Sequence, residues 1–289
     1  MQILQAAIDG LLMAGVYSLI ALGLSLIFGV MKITNFAHGA LMTLGMYVAY
    51  QASVSLGLMP YLALPLALIV LFLVGFGMQR LLIHPIRNAP THNQLLVTLG
   101  ASMVLENLIL LIWSPNYKNI AVPGFEKAFV FGGFTINKPR LIAFFVAVLV
   151  TCLIYLLLYR TDLGRAIRAT SMNQEGAELM GISIKQINAI AFGIGTMCAG
   201  AAGVLVTPML YVYPTIGGTF QLKCFVIAVL GGMGSLWGAL IAGLIVGIAE
   251  SLSGFYLGGT WSDMVIYAIF VLVLLFKPTG LMGKRNTGE

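Results

Sequence analysis

Apolar runs of about 20 residues, the length an α-helix needs to cross the hydrocarbon of a bilayer, recur from one end of this chain to the other. Of its 289 residues 60% are hydrophobic and 8% charged, and 15 Lys+Arg with 9 Asp+Glu are too few to coat a water-soluble core of this size. The chain therefore reads as an all-α polytopic membrane protein, one transmembrane domain over residues 1–289 with no separate soluble domain.

A net charge of +6 would suit a nucleic-acid binder if it were spread over a surface. Here the basic residues gather in a few loops and the tail, where they set topology, so no nucleic-acid partner is expected. Cys152, Cys198 and Cys224 lie singly in apolar runs without metal-ligand spacing, read as small hydrophobes, and predict no metal site. The opening MQILQAAIDG has no Lys or Arg and leads into a run too long for a cleaved leader, so it is expected to enter the first span.

Taken in order, the first span is expected over about 10–30, with Asp9 at its outer end. A break at VMKITNFAHGA follows, and the second span then runs over about 36–56. Asn35 is placed to cap this second helix and to aim its positive dipole end at the break, which makes Asn35, Phe36, His38 and Gly39 candidates to border a substrate path. Asn35 equally suits a plain capping role, and His38 that of a hydrogen-bonded packing residue.

The third span, about 60–79, opens on Pro60, and a basic loop with Arg80, His84, Arg87 and His92 separates it from the fourth, about 94–113. Within the fourth lies Glu106, taken as the sole clear acid in mid-membrane; it needs a partner, water or a proton, and it is a further candidate to line the substrate path. Residues 114–138 form a long loop in which AFVFGGFTIN reads as a small β-hairpin around Gly132 and Gly133, outside the membrane on the side opposite the basic loops. The fifth span covers about 139–159 and the sixth about 186–206, where Gly195, Ala199 and Gly203 make a small-residue stripe for close helix contact.

Loop charge orients the bundle. With Arg80, Arg87, Arg160, Arg165, Arg168 and Lys185 inside, the first six spans alternate and the N-terminus lies outside. The tail, with Lys277, Lys284 and Arg285, also belongs in the cytoplasm, and parity then requires the run over 221–252 to cross twice. GGMGS over 231–235 supplies the break, so about nine crossings are expected, with a short or half helix near 221–233. Beyond it Gly234, Gly238 and Ala242, and also Ala239, Gly243 and Gly247, form further small-residue stripes. FGVMKITNFAHG and VLGGMGSLWG are interrupted apolar segments in corresponding halves, which adds Gly231, Gly232 and Gly234 to the candidate path.

The loop over 160–187 is the long polar interruption of the C-terminal half, and its charges keep it outside hydrocarbon. Asn173 is a good N-cap for a short helix over 174–180, Gly181 a natural left-handed stop, and Ser183 with Gln186 a capping box for the next span. The short helix should show Ala177, Met180 and Leu179 as an apolar spot.

Three stretches, GLSLIFGVMKITNFAHGALMTLGMY, GRAIRATSMNQEGAELMGI and LKCFVIAVLGGMGSLWGALIAGLIVG, resemble in order and spacing the membrane permeases of branched-chain amino-acid ABC importers, the LivH type rather than its LivM partner. The resemblance implies a bacterial inner-membrane subunit that pairs with a second, LivM-like permease, two cytosolic ATPases and a periplasmic binding protein, and it makes the outer side, with the N-terminus and the hairpin, periplasmic. The 160–187 loop would hold the coupling helix seated on an ATPase, with Arg165, Arg168, Asn173, Glu175, Ala177, Met180 and Gly181 as its docking residues. Gly176 stands where a better helix former is expected. The resemblance implies no cofactor on this chain, ATP being used by the partners.

No H-E-x-x-H, G-x-S-x-G or G-x-x-x-x-G-K-[ST] pattern occurs, so neither an intramembrane hydrolase nor an ATPase is expected. The competing class is an ion-coupled secondary transporter, which would use buried acids and need no ATPase. The substrate itself is not legible in the chain.

Overall fold

The longest helix, α1 (Gln2–Met31), is also the most enclosed together with α8, and this follows from composition: both are rich in Gly and Ala, which let neighbouring backbones approach. The structure is a computed structural model that describes residues 2–120, 122, 128–131 and 134–283. Among these residues the remaining helices are α2 (His38–Leu56), α3 (Leu64–Met78), α4 (Thr91–Trp113), α5 (Lys138–Arg160), α6 (Asp162–Met172), α7 (Gln174–Leu179), α8 (Ile184–Val206), α9 (Gly217–Gly231), α10 (Leu236–Leu257) and α11 (Gly259–Phe276). Six helical stretches, those of α1, α3, α4, α5, α8 and α10, are long and apolar enough to cross a membrane, while α9 and α11 are shorter apolar helices. The chain is a multi-pass helical membrane protein.

Helix α10 lies along α1 in the opposite direction, Gly247 beside Gly10, Gly243 beside Ser18 and Gly234 beside Gly29. On its other side α1 meets α8, where Gly23 faces Gly195, and α8 also packs on α3 through the Thr196 hydroxyl donated to the Leu71 carbonyl at 2.8 Å. The expected stripes are therefore the seams of the core. Helices α3, α4 and α5 turn apolar side chains outward, such as Leu73, Leu111 and Phe145, as suits helices whose solvent is lipid.

The strands β1 (Phe129–Phe131) and β2 (Phe134–Ile136) pair antiparallel, Phe129 opposite Ile136. The expected turn at Gly132 and Gly133 lies outside the described residues, as do Lys284 and Arg285. Gln5 of α1 holds β2 by donating from Nε2 to the Thr135 carbonyl at 2.7 Å and accepting its N–H at 3.0 Å. This marks one end of the bundle, the hairpin end. At the other, Gln174 Nε2 donates to the Val30 carbonyl at 3.0 Å and so seats α7 on the last turn of α1.

Several expectations need correction. The third span does not stop near 79: past α3 the helix continues through a π turn, Gln79–Ile83, and a 3₁₀ turn, His84–Ile86, because the interior reaches Gln79 and Ile83. The 160–187 loop contains α6 as well as α7. Its apolar residues Leu163, Ile167 and Thr170 recur at helical spacing and face the bundle, and Thr161 caps it by accepting the Gly164 N–H at 3.1 Å. Ser183 does hold the N-cap position of α8, but its side chain makes no capping bond, so the capping box does not form.

Candidate functional site

The break after α1 folds inward. Asn35, Ala37 and His38 are fully buried, and α2 starts at His38 instead of at Phe36. Asn35 is therefore not the N-cap, a position that falls to Ala37; its Oδ1 accepts the Ala37 N–H at 3.0 Å, an Asx turn that bends the chain into the helix. His38 Nε2–H donates to the Ile20 carbonyl of α1 at 3.0 Å, which leaves Nδ1 as the acceptor nitrogen. Neither His38 Nδ1 nor Asn35 Nδ2 has a hydrogen-bond partner among the described residues, so an acceptor and a donor are held inside the bundle, free for water or a solute.

Helix α9 joins this break to the second one. Gln221 donates from Nε2 to the Asn35 carbonyl at 3.3 Å and accepts the Gly39 N–H on Oε1 at 2.6 Å. One turn on, Phe225 stacks against Phe36 with ring centroids 6.0 Å apart. Gly217 and Gly39 touch backbone to backbone, a Cβ on either lying 2.2 Å from the other's carbonyl oxygen. Helix α9 ends at Gly231, and the turn to α10 needs glycine at Gly232 and Gly234, whose φ values are +96° and +89°. The segment after α11 crosses this turn, with Leu281 N–H donating to the Leu230 carbonyl at 2.8 Å and Met282 N–H to that of Gly231 at 3.0 Å. The structure thus gathers Asn35, Phe36, His38 and Gly39 around the first half of α9, and Gly231, Gly232 and Gly234 around its far end.

Glu106 is not part of this arrangement. It sits half-buried on the peripheral helix α4, where Ser102 Oγ donates to its Oε1 at 3.2 Å. Nor is it the sole acid within the helices of the bundle. Lys223 on α9 is ion-paired to Glu250 of α10 at 2.5 Å and to Asp263 of α11 at 3.0 Å, with its side chain only 10% exposed. Three charges scattered over three apolar stretches carry no spacing that joins them. The available signal was that a charge within a span needs a partner. Lys223 and Glu250 line a cavity of about 470 Å³ with Asp9, Arg140 and Tyr17. Since Gln221 and Lys223 are two residues apart on a helix they point to different sides, so α9 stands between the polar break and this cavity.

At the opposite end α7 has both expected caps. Asn173 Oδ1 accepts the Gly176 N–H at 2.9 Å, and Gly181 closes a Schellman turn at φ +82°, with Ile182 N–H donating to the Ala177 carbonyl at 3.0 Å. Ala177 faces inward and is buried, so it is not part of the apolar spot, which consists of Leu179 and Met180, 89% and 83% exposed, together with Met172. Arg165 is exposed and paired with Asp162, and Glu175 is exposed. Arg168 instead folds back, donating to the Leu158 carbonyl and lying over the Tyr159 ring, which fixes α6 on the end of α5.

Irregular backbone within a membrane bundle is stable only where protein buries it or where it borders a watered route. A buried break of this kind, held against a short helix inside an apolar bundle, fits a multi-pass membrane permease. The chain belongs to the family of permease components of branched-chain amino acid transport systems, whose model matches residues 6–274. It is 34% identical over 297 residues to the high-affinity branched-chain amino acid transport system permease protein BraD of Pseudomonas aeruginosa, covering 97% of this chain and 96% of that one. To LivH of Escherichia coli it is 32% identical, with the same coverage of both chains, and to LivM of Escherichia coli 25% identical, covering 92% of this chain and 68% of LivM. The solved structure of PsaBC from Streptococcus pneumoniae in complex with Fab has a similar fold, with a TM-score of 0.51 at 13% identity over 94% of this chain and 91% of that one.

Proposed function

We propose that this chain is the LivH-type subunit of an ATP-driven importer, carrying branched-chain or other hydrophobic amino acids received from a periplasmic binding protein. It binds no cofactor and hydrolyses nothing itself; ATP is consumed by two cytosolic ATPases, and a LivM-like chain completes the route. The observation that carries the reading is α9, a 15-residue helix hydrogen-bonded to one break at its start and ending in the other. A rigid helix tied to both breaks can transmit a push at the α7 end to the buried break by a small slide or rotation. The path then runs beside Asn35, Phe36, His38 and Gly39 and past Gly231, Gly232 and Gly234.

The orientation follows from charge. Arg87, Lys185 and the α6 arginines share the α7 end, which is the cytoplasmic side under the positive-inside rule. That assignment puts the hairpin in the periplasm and gives about nine crossings, α2, α9 and α11 counted with the six long spans. Met172, Leu179 and Met180 on the exposed side of α6 and α7 are the ATPase contact, with Arg165 and Glu175 beside them. A second reading, ion-coupled transport, draws on the buried acids Glu250 and Asp263. Reconstitution of the chain with its four partners in vesicles separates the two: leucine uptake should require ATP and survive collapse of ion gradients, whereas uptake driven by a gradient without ATP would overturn the importer reading. A cysteine at Met172 should react with an impermeant maleimide from the cytoplasmic side only.

A further inference from the structure

The cavity at the hairpin end has a charge pattern that the family reading does not use. Four charged side chains line it, two of each sign: Lys223 with Glu250, and Arg140 with Asp9 at 3.1 Å. The Lys223–Glu250 pair is the deeper, with side chains 10% and 20% exposed against 38% and 24% for Arg140 and Asp9. Asp263, the other partner of Lys223, is 43% exposed and does not line the cavity. Met13, Tyr17, Ile216 and Phe220 supply an apolar wall, and about 470 Å³ lies within the range of small-molecule sites.

In the deeper pair Glu250 Oε2 is buried without a well-formed hydrogen bond among the described residues, with the Tyr17 hydroxyl close enough to interact with the same carboxylate, so it has capacity for one more donor. Lys223 has a second carboxylate, Asp263, at 3.0 Å. With Asp263 counted beside Lys223 the cluster holds three acids against two bases, so a net anion entering here would add to a negative excess, and a net cation would bring no carboxylate for Lys223. A solute bearing both charges on one carbon adds none: its carboxylate meets Lys223 and its ammonium meets Glu250. Burying a charge is costly unless it is paired, so a solute that brings a partner for each of Lys223 and Glu250 is favoured.

We infer that the cavity between α1, α9 and α10 is an entry site for zwitterionic α-amino acids, in which Lys223 holds the carboxylate, Glu250 holds the ammonium and the Tyr17–Phe220 wall takes an apolar side chain. This rests on the permease reading for its direction of travel, but binding is measured without ATP or partners, so the two fail separately. The full chain in nanodiscs is titrated with leucine by saturation-transfer NMR, against leucinamide, which lacks the carboxylate, and 4-methylvalerate, which lacks the ammonium. Charge-assisted hydrogen bonds to a desolvated pair predict that each analogue binds at least about tenfold more weakly than leucine. The triple variant Lys223→Met with Glu250→Gln and Asp263→Asn, which removes the cation with both of its carboxylate partners, should lose leucine binding by a similar factor. Equal binding of all three solutes, no saturable leucine binding, or a folded triple variant that binds leucine like the parent would each overturn the site. Should the triple variant fail to fold, the analogue series on the parent chain still decides.

Discussion

The Gln221 side chain closes the first turn of a helix 182 residues away, its Oε1 accepting the Gly39 N–H at 2.6 Å. Gly39 lies in the first turn of α2, where backbone N–H groups have no intrahelical acceptor, and in a dry interior each must find one elsewhere. Replacing Gln221 by Leu keeps much of the volume and strands that N–H. Thermal unfolding of the purified protein should register a loss of about 1–3 kcal/mol, the cost of an unpaired buried donor. An unchanged unfolding curve would mean that α9 does not cap α2.

Gly217 and its neighbour Gly218 make a matched pair for testing the contact between α9 and α2. A Cβ at 217 would stand 2.2 Å from the Gly39 carbonyl oxygen, whereas one at 218 would meet nothing within 4 Å. Gly217→Ala should cost about 1–3 kcal/mol through overpacking, and should lower uptake if α9 must sit against α2 to carry motion. Gly218→Ala should be neutral or stabilising by up to about 1 kcal/mol, since alanine suits a helix better than glycine. Equal effects at the two positions would remove the close contact from the account.

Local rules were readable in the sequence where they act over a few residues. The caps of α7 at Asn173 and Gly181 form as written, because each bond closes within five residues of its partner. The break over 231–235 was legible in its clustered glycines, which interrupt an apolar run and, at Gly232 and Gly234, take the positive φ the turn requires. What could not be read was pairing at a distance: Gln221 with Asn35 and Gly39, and Lys223 with Glu250 and Asp263, are brought together by helix packing that no local pattern encodes. Helix α6 went unread for another reason, since its charges mark the segment as polar and hide the Leu163, Ile167 and Thr170 face. Ala177 turned inward because a six-residue helix has one face to give the bundle, and the smallest side chain took it.

Glu106 gives a negative prediction. Its carboxylate accepts a bond from Ser102 one turn back on a helix whose exposed residues include Leu108 and Leu111, and among the described residues no side chain from another helix hydrogen-bonds to it. Glu106→Gln retains an acceptor for the Ser102 hydroxyl and should leave uptake within about twofold of the parent, a change of under 0.5 kcal/mol. A folded variant with no uptake would bring Glu106 into the path after all.

The exposed tip of α7 should separate docking from folding. Leu179 and Met180 make apolar surface on a helix otherwise held by its caps, so replacing both by Ser removes no buried contact, and the permease should unfold within about 0.5 kcal/mol of the parent. Copurification of the ATPases and ATP-driven uptake should both fall sharply, because apolar anchors carry most of the energy of a small docking surface. Asn173→Ala acts by a different route: it removes the bond to the Gly176 N–H, frays a helix already weakened by that glycine, and costs about 1 kcal/mol. Its uptake defect should be rescued by Asn173→Asp or Asn173→Ser, which restore the cap without restoring the amide. Rescue by neither would mean that Asn173 touches the ATPase directly, and full uptake by the Leu179–Met180 double variant would move the docking surface off α7 altogether.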